Sequence, residues 1–122
     1  MKFPSDRQYT DHDEWVRTEG DLIVVGISDY AQDQLGELVH VELPAVGKKV
    51  RAGEVVCEVE SVKAVAEIYA PATGEVAEVN TALEDAAESI NSDPYGSWIY
   101  KLRVASPPAG LLDAAAYEAK VS

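Results

Sequence analysis

The chemistry available to this chain centres on one amine. Lys63 lies within Glu60-Ser61-Val62-Lys63-Ala64, and its close apolar neighbours are Val62, Ala64 and Val65 rather than polar turn residues. A surface lysine is ordinarily a solubilising charge, but an amine crowded by apolar side chains suits a handle that another protein must reach. The second chemically suggestive cluster is Asp11-His12-Asp13-Glu14. A metal site or a general base needs convergent groups, and neighbouring strand residues point to opposite faces. His40 shares a strand face with Glu42 and has no ligand spacing to His12. No Gly-rich phosphate loop, Gly-x-Ser-x-Gly elbow or Cys-x-x-Cys occurs. The expectation is a chain with no catalytic residues and no metal, in which Lys63 is an attachment point.

The elements that must position Lys63 follow from periodicity. Gly53 to Glu60 alternates apolar and acidic residues, and Ala64 to Ala70 alternates again before stopping at Pro71. Two half-buried strands joined through Ser61, Val62 and Lys63 predict a tight hairpin with the lysine at its tip. Upstream, Trp15–Thr18, a turn at Gly20 and Leu22–Val25 read as strand, turn, strand. Ser28 is placed to cap a short helix over Asp29–Leu35, which Gly36 stops. Leu38–Leu43 alternates and predicts another strand. Pro44-x-x-Gly47 and Pro71-x-x-Gly74 each lead into strand, a doubling on either side of Lys63. These units predict a mainly β fold, a flattened barrel or sandwich with internal two-fold pseudosymmetry and a few short flanking helices.

Thr81-Ala82-Leu83-Glu84 has the pattern of a capping box opening a short helix, and Ile90–Gly96 reads as an irregular loop. Trp98–Val104 predicts a closing strand that Pro107 and Pro108 break. A helix is expected over Leu111–Ala119, with Asp113 capping its second half and Leu112, Ala116 and Tyr117 as its buried stripe. One domain is expected over 1–122, with residues 1–8 loosely held and 107–122 forming the C-terminal helical segment.

Composition narrows the classes of partner. Ten basic against twenty-two acidic residues give a formal net charge of −12. Such a surface repels phosphate backbones and anionic membrane faces, which disfavours nucleic-acid and peripheral membrane roles and favours partners with basic docking patches. Cys57, the only cysteine, rules out an intrachain disulfide and falls on a strand face with Val55 and Val59, which predicts a buried structural thiol. MKFPSDRQYTD has no apolar signal core and no apolar run approaches membrane-spanning length. A cytoplasmic protein is expected, or a mitochondrial one if a transit peptide has been removed, and a monomer.

The stretch Glu60-Ser61-Val62-Lys63-Ala64 followed by Val65-Ala66-Glu67-Ile68-Tyr69-Ala70-Pro71 resembles the modified-lysine motif of the glycine cleavage system H protein family. The resemblance runs from about Tyr9 to Tyr117. It takes in Glu14-Trp15-Val16, Gly26-Ile27-Ser28-Asp29-Tyr30-Ala31-Gln32, Leu35-Gly36, Val41-Glu42-Leu43-Pro44, Val46-Gly47, Gly74-Glu75-Val76, Val79-Asn80, Asn91, Pro94-Tyr95-Gly96 and Trp98. Two positions depart from it: Asp13 stands where the family usually has histidine, and one residue fewer separates Gly96 from Trp98.

The resemblance implies a carrier rather than an enzyme, with lipoate joined to Lys63 as an amide and Glu60, Ser61, Val62 and Ala64 as the surrounding motif. On that arm the family shuttles the aminomethyl group of glycine from a pyridoxal phosphate glycine decarboxylase to a tetrahydrofolate-dependent aminomethyltransferase. Dihydrolipoamide dehydrogenase reoxidises the arm, and a lipoate-attaching enzyme installs it. The charged arm would fold into a dry cleft, where Glu14 first and Glu67 second are the candidates to meet its protonated amine.

The sequence around Lys63 also admits other readings. A lipoyl domain of a 2-oxo acid dehydrogenase complex typically shows Asp-Lys-Ala, whereas Val62 precedes Lys63 here; a biotin carrier would flank its lysine with methionines, and Met1 is the only one. An H-like protein that only donates or relays lipoyl groups would look the same in sequence. From a different class, a hydrolase built on Asp11, His12 and Glu14 would turn over without any attached group.

Overall fold

The computed structural model describes residues 1–122. Nine strands form in the order β1 (Gln8–Tyr9), β2 (Glu14–Glu19), β3 (Leu22–Ile27), β4 (Leu38–Glu42), β5 (Lys49–Val50), β6 (Val55–Ser61), β7 (Val65–Tyr69), β8 (Gly74–Val79) and β9 (Tyr100–Val104). Three helices accompany them: α1 (Asp29–Leu35), α2 (Ser89–Ser92) and α3 (Ala114–Val121). One sheet has the order β1-β2-β3-β9-β8-β5 and the other β4-β6-β7. Every pairing is antiparallel. The two sheets do not close on each other, so the fold is the sandwich form of the expected architecture. No helix is long and apolar enough to cross a membrane.

Apolar residues decide which faces meet. A cluster that includes Ile23, Val25, Val41, Val59, Ile68, Val76 and Leu102 draws on both sheets and makes the main core. Tyr9, Trp15, Val24 and Tyr117 form a second cluster. The continuous apolar run of β3 is thereby explained: Ile23 and Val25 point into one cluster and Val24 into the other. Tyr117 of α3 stacks on Tyr9 with ring centroids 4.6 Å apart, which fastens the last helix to the first strand.

Local capping follows the sequence in α1. The Ser28 side chain accepts from Ala31 N–H, and Gly36 ends the helix with φ 80. Elsewhere the structure corrects the expectations. Asn80, not Thr81, precedes the 3₁₀ turn at Thr81–Glu84, and no side chain caps it; the Asn80 amide donates to Trp98 C=O. Within the segment expected to be irregular, Ser89–Ser92 closes one helical turn over the fully buried Ile90. The last strand begins at Tyr100 rather than Trp98.

In the terminal helix Asp113 caps the first turn, not the second half, its side chain accepting from Ala116 N–H. Leu112 stays extended and exchanges backbone hydrogen bonds with Tyr9, and of the expected buried stripe Tyr117 is buried while Ala116 is exposed. Residues 1–8 make specific contacts. Lys2 N–H donates to Asp29, Pro4 C=O accepts from Tyr9 O–H, and Arg7 lies over the Trp15 ring at 4.6 Å.

The two Pro-x-x-Gly units meet, since β5 of the first pairs with β8 of the second. Their glycines nevertheless do different jobs. Gly47 takes φ 92 in a turn, whereas Gly74 lies in β8, where an added Cβ would fall 2.2 Å from Arg103 C=O.

Candidate functional site

The Lys63 hairpin forms because β6 and β7 pair in register up to Glu60 and Val65. Ser61 organises the bend from within: its N–H donates to Ala64 C=O at 2.8 Å, and its Oγ accepts from the N–H groups of Lys63 and Ala64 at 3.3 and 3.0 Å. The serine is buried and its hydroxyl stands in for a missing Asn-Gly turn pair. Val62 is 73 % exposed, Val65 58 %, and Lys63 is exposed between them. Lys63 takes part in none of the four ion pairs of the chain. The amine therefore projects from a bend joining two adjacent strands, with its hydrogen-bonding capacity uncommitted within the chain.

The bend is also held from outside. Val62 N–H donates to Glu37 C=O at 3.1 Å, and Lys63 Cε passes 3.5 Å from the position a Cβ would take on Gly36. The end of α1 and the start of β4 thus form the shelf on which the lysine stem lies.

The outer face of the smaller sheet is acidic. Glu42 faces Glu58, and Glu58 faces Glu67, so three carboxylates line up across three strands. None of them is ion-paired. Facing like charges cost stability in a sheet. Glu67 is exposed and accepts from Tyr69 O–H at 3.3 Å.

Glu14 has the opposite environment. It is fully buried, with Oε1 accepting from Thr10 Oγ1 at 2.6 Å and Oε2 accepting from Tyr69 N–H at 2.9 Å. Burial raises its pKa, while the hydrogen bonds from Thr10 and Tyr69 pull it back. A cleft of about 170 Å³ opens beside it, lined by Thr10, His12, Tyr69, Ala70 and Leu111 among others. The ring of His12 covers that of Tyr69 with centroids 4.0 Å apart. From Val65, next to the lysine, to Tyr69 at the cleft, β7 spans roughly 13 Å at ~3.3 Å per residue.

The Asp11-His12-Asp13-Glu14 cluster comes apart in three dimensions. Glu14 points inward, Asp13 accepts from Tyr117 O–H at 2.9 Å, and His12 turns to Tyr69. Asp13 holds φ 67, the one non-glycine residue with positive φ, a conformation that Asp tolerates better than most. Cys57 is buried, as its strand position implied, and burial pushes its thiol up to about 12. A larger groove of about 780 Å³ lies beside Lys49, Arg51, Glu54 and Arg103. Glu54 precedes the seven residues of β6 and Lys63 follows them, so this groove lies at the opposite end of the strand from the lysine and plays no part in the site.

Comparison with known proteins settles the family. The chain matches the model of the family described as glycine cleavage H-protein over residues 7–122. It belongs to the glycine cleavage H-protein family. The H protein of Thermus thermophilus is 53% identical over 121 residues, covering 97% of this chain and 94% of that one. The H protein of Bacteroides thetaiotaomicron is 46% identical over 125 residues, covering 100% of this chain and 99% of that one. The crystal structure of an H protein from Mycobacterium marinum superposes with a TM-score of 0.90 at 43% identity, covering 96% of this chain and 97% of that one. H-protein membership favours a glycine cleavage carrier over a 2-oxo acid dehydrogenase lipoyl domain, a biotin carrier or a hydrolase.

Three contributors to the site carry little signal in the local sequence. Thr10 is legible only as a hydroxyl four residues before Glu14, and the Gly36 shelf only as a helix stop. Asn91 lies in a segment of loop-like composition, yet it hydrogen-bonds Leu38 from 53 residues away.

Proposed function

We propose that this chain is the lipoyl carrier of the glycine cleavage system, with lipoate joined as an amide to Nζ of Lys63. The observation that carries the proposal is the exposed amine at the hairpin tip, unpaired within the chain and set between exposed valines. When bound, the lipoyl group supplies a dithiolane whose sulfur takes up and gives back the aminomethyl group of glycine.

The chain's own residues supply position and shelter. Ser61 holds the turn, and Glu60, Val62 and Ala64 offer the surface that a lipoate-attaching enzyme reads around Lys63. The cleft beside Glu14, lined by Thr10, His12 and Tyr69, would receive the end of an arm attached to Lys63. A protonated amine arriving there would stabilise the ionised form of a carboxyl whose burial otherwise penalises it. Glu67, exposed between the lysine and the cleft, adds a second negative charge on that path. The unpaired row of Glu42, Glu58 and Glu67, with Val62 and Val65 close by, suits basic docking surfaces on glycine decarboxylase, aminomethyltransferase and dihydrolipoamide dehydrogenase.

Intact mass after incubation with a lipoate-attaching enzyme, lipoate and ATP tests the attachment. A lipoyl-sized increment on the peptide bearing Lys63, absent from Lys63→Arg, is expected, and an unmodified Lys63 would defeat the proposal. Glycine–bicarbonate exchange with a cognate decarboxylase then separates glycine cleavage, which predicts exchange, from a lipoyl relay, which predicts none.

A further inference from the structure

We infer that Asn91 is a positioning residue for Lys63, acting through the backbone segment Gly36–Leu38. The side-chain amide of Asn91 accepts from Leu38 N–H at 2.9 Å through Oδ1, and through Nδ2 it donates to Gly36 C=O and to Gln32 Oε1, both at 2.9 Å. Both amide hydrogens and one acceptor position are thereby used on a single stretch of chain. Between the two bracketed backbone groups lies Glu37, whose C=O accepts from Val62 N–H, the residue directly before Lys63. Leu38 is also the cross-strand partner of Ser61, and Gly36 carries the lysine stem. A clamp on residues 36 and 38 is therefore a clamp on the hairpin tip.

The clamp is needed because the shelf is intrinsically loose. Gly36 has φ 80 and no side chain, so it loses more conformational freedom on ordering than any other residue type. Asn91 itself is well anchored. It sits in α2 beside the fully buried Ile90, and this turn is closed by Asp93 N–H to Ser89 C=O at 2.8 Å and by Ser97 Oγ to the same carbonyl at 3.0 Å. No shorter polar side chain offers two donors and an acceptor in one plane, and aspartate would lose both donations.

The inference rests on Lys63 being the lipoyl attachment point. In that step the lone pair of deprotonated Nζ attacks the carbonyl carbon of an activated lipoyl donor, an acyl adenylate. The C–N bond forms as the C–O bond to the phosphate breaks, adenylate leaves with the electron pair, and Nζ releases a proton. The step needs the amine at bonding distance in a fixed direction. If the tip is already ordered, the enzyme does not have to order it on docking, and the gain falls mainly on KM.

The experiment compares wild type with Asn91→Ala and Asn91→Asp at a temperature where all are folded, by amide hydrogen exchange and by initial rates of lipoylation with a lipoate-attaching enzyme, lipoate and ATP. In Asn91→Ala the amides of Val62 and Leu38 are expected to exchange about fivefold faster, as loss of a hydrogen bond worth about 1 kcal/mol implies, while Val24 and Leu102 in the larger sheet stay unchanged. The kcat/KM for lipoylation is expected to fall about fivefold, mostly through KM. Asn91→Asp keeps an acceptor for Leu38, so Leu38 should stay protected while Val62 exchanges faster. Unchanged exchange at Val62 in either variant, or loss of protection throughout both sheets, overturns the inference. Should Asn91→Ala fail to fold, Asn91→Asp carries both readouts alone. A wild-type protein that gains no mass on Lys63 would overturn the attachment reading and leave the exchange comparison to decide the clamp.

Discussion

Glu14 Oε2 accepts from the backbone N–H of Tyr69 at 2.9 Å, joining β2 of the larger sheet to the last residue of β7 in the smaller one. The bond sits at the end of the same strand that starts beside Lys63, so the carboxylate fixes the far end of the hairpin. Replacing Glu14 by alanine leaves Tyr69 N–H without its acceptor and empties space in the interior. Glu14→Ala is expected to lower unfolding stability by about 1–3 kcal/mol, read as a fall in the urea midpoint. The lipoyl increment on Lys63 should survive, because the turn held by Ser61 is untouched.

The same carboxyl has a pH signature. Burial raises its folded pKa above the ordinary 4.5, so the folded state holds the proton more tightly than the unfolded chain. The favourable contribution is fully present below 4.5 and is lost as pH rises through the raised folded value. Measured against Glu14→Gln, which cannot titrate, wild type should lose relative stability as pH increases from below 4.5 toward neutrality. A constant difference across that range would show that Glu14 is not desolvated in solution.

Cys57 offers a chemical test of the core. A thiol with its pKa pushed from 9.0 up to about 12 and 2% exposure presents almost no thiolate. It should resist iodoacetamide in the folded protein at mildly alkaline pH and react fully once urea unfolds the chain. Its linkage runs the same way as that of Glu14: stability from the protonated thiol is complete below 9.0 and is lost as pH rises through about 12.

Trp15 and Gly26 face each other across β2 and β3, and a Cβ on Gly26 would lie 2.5 Å from the indole. Gly26→Ala must therefore displace Trp15, whose Nε1–H donates to Pro94 C=O at 3.0 Å. Overpacking of this kind costs roughly 1–3 kcal/mol, and the variant should show a lower Tm together with a shifted tryptophan emission maximum.

Local chemistry alone specifies much of this chain. Ser28 and Gly36 delimit α1 as written, and alternation around Ser61–Lys63 specifies the hairpin, because period-2 patterning and capping groups act within a few residues. The end of the chain was less legible. Asp113 was expected inside a longer helix, but Leu112 pairs with Tyr9, and that long-range backbone pairing delays the helix by three residues from Leu111 to Ala114.

By itself, the order of residues determined that an amine would stand at the tip of a β hairpin in an acidic β-rich chain, since each of those properties follows from neighbouring side chains. Only the tertiary structure decided that Glu14 would be buried as a tie between sheets, and that Asn91 would reach Gly36 and Leu38 beneath the lysine. The partners of both residues come from elements far apart in the chain. Which donor meets which acceptor is set by how the two sheets and the short helices pack, a choice that no local pattern of residues encodes.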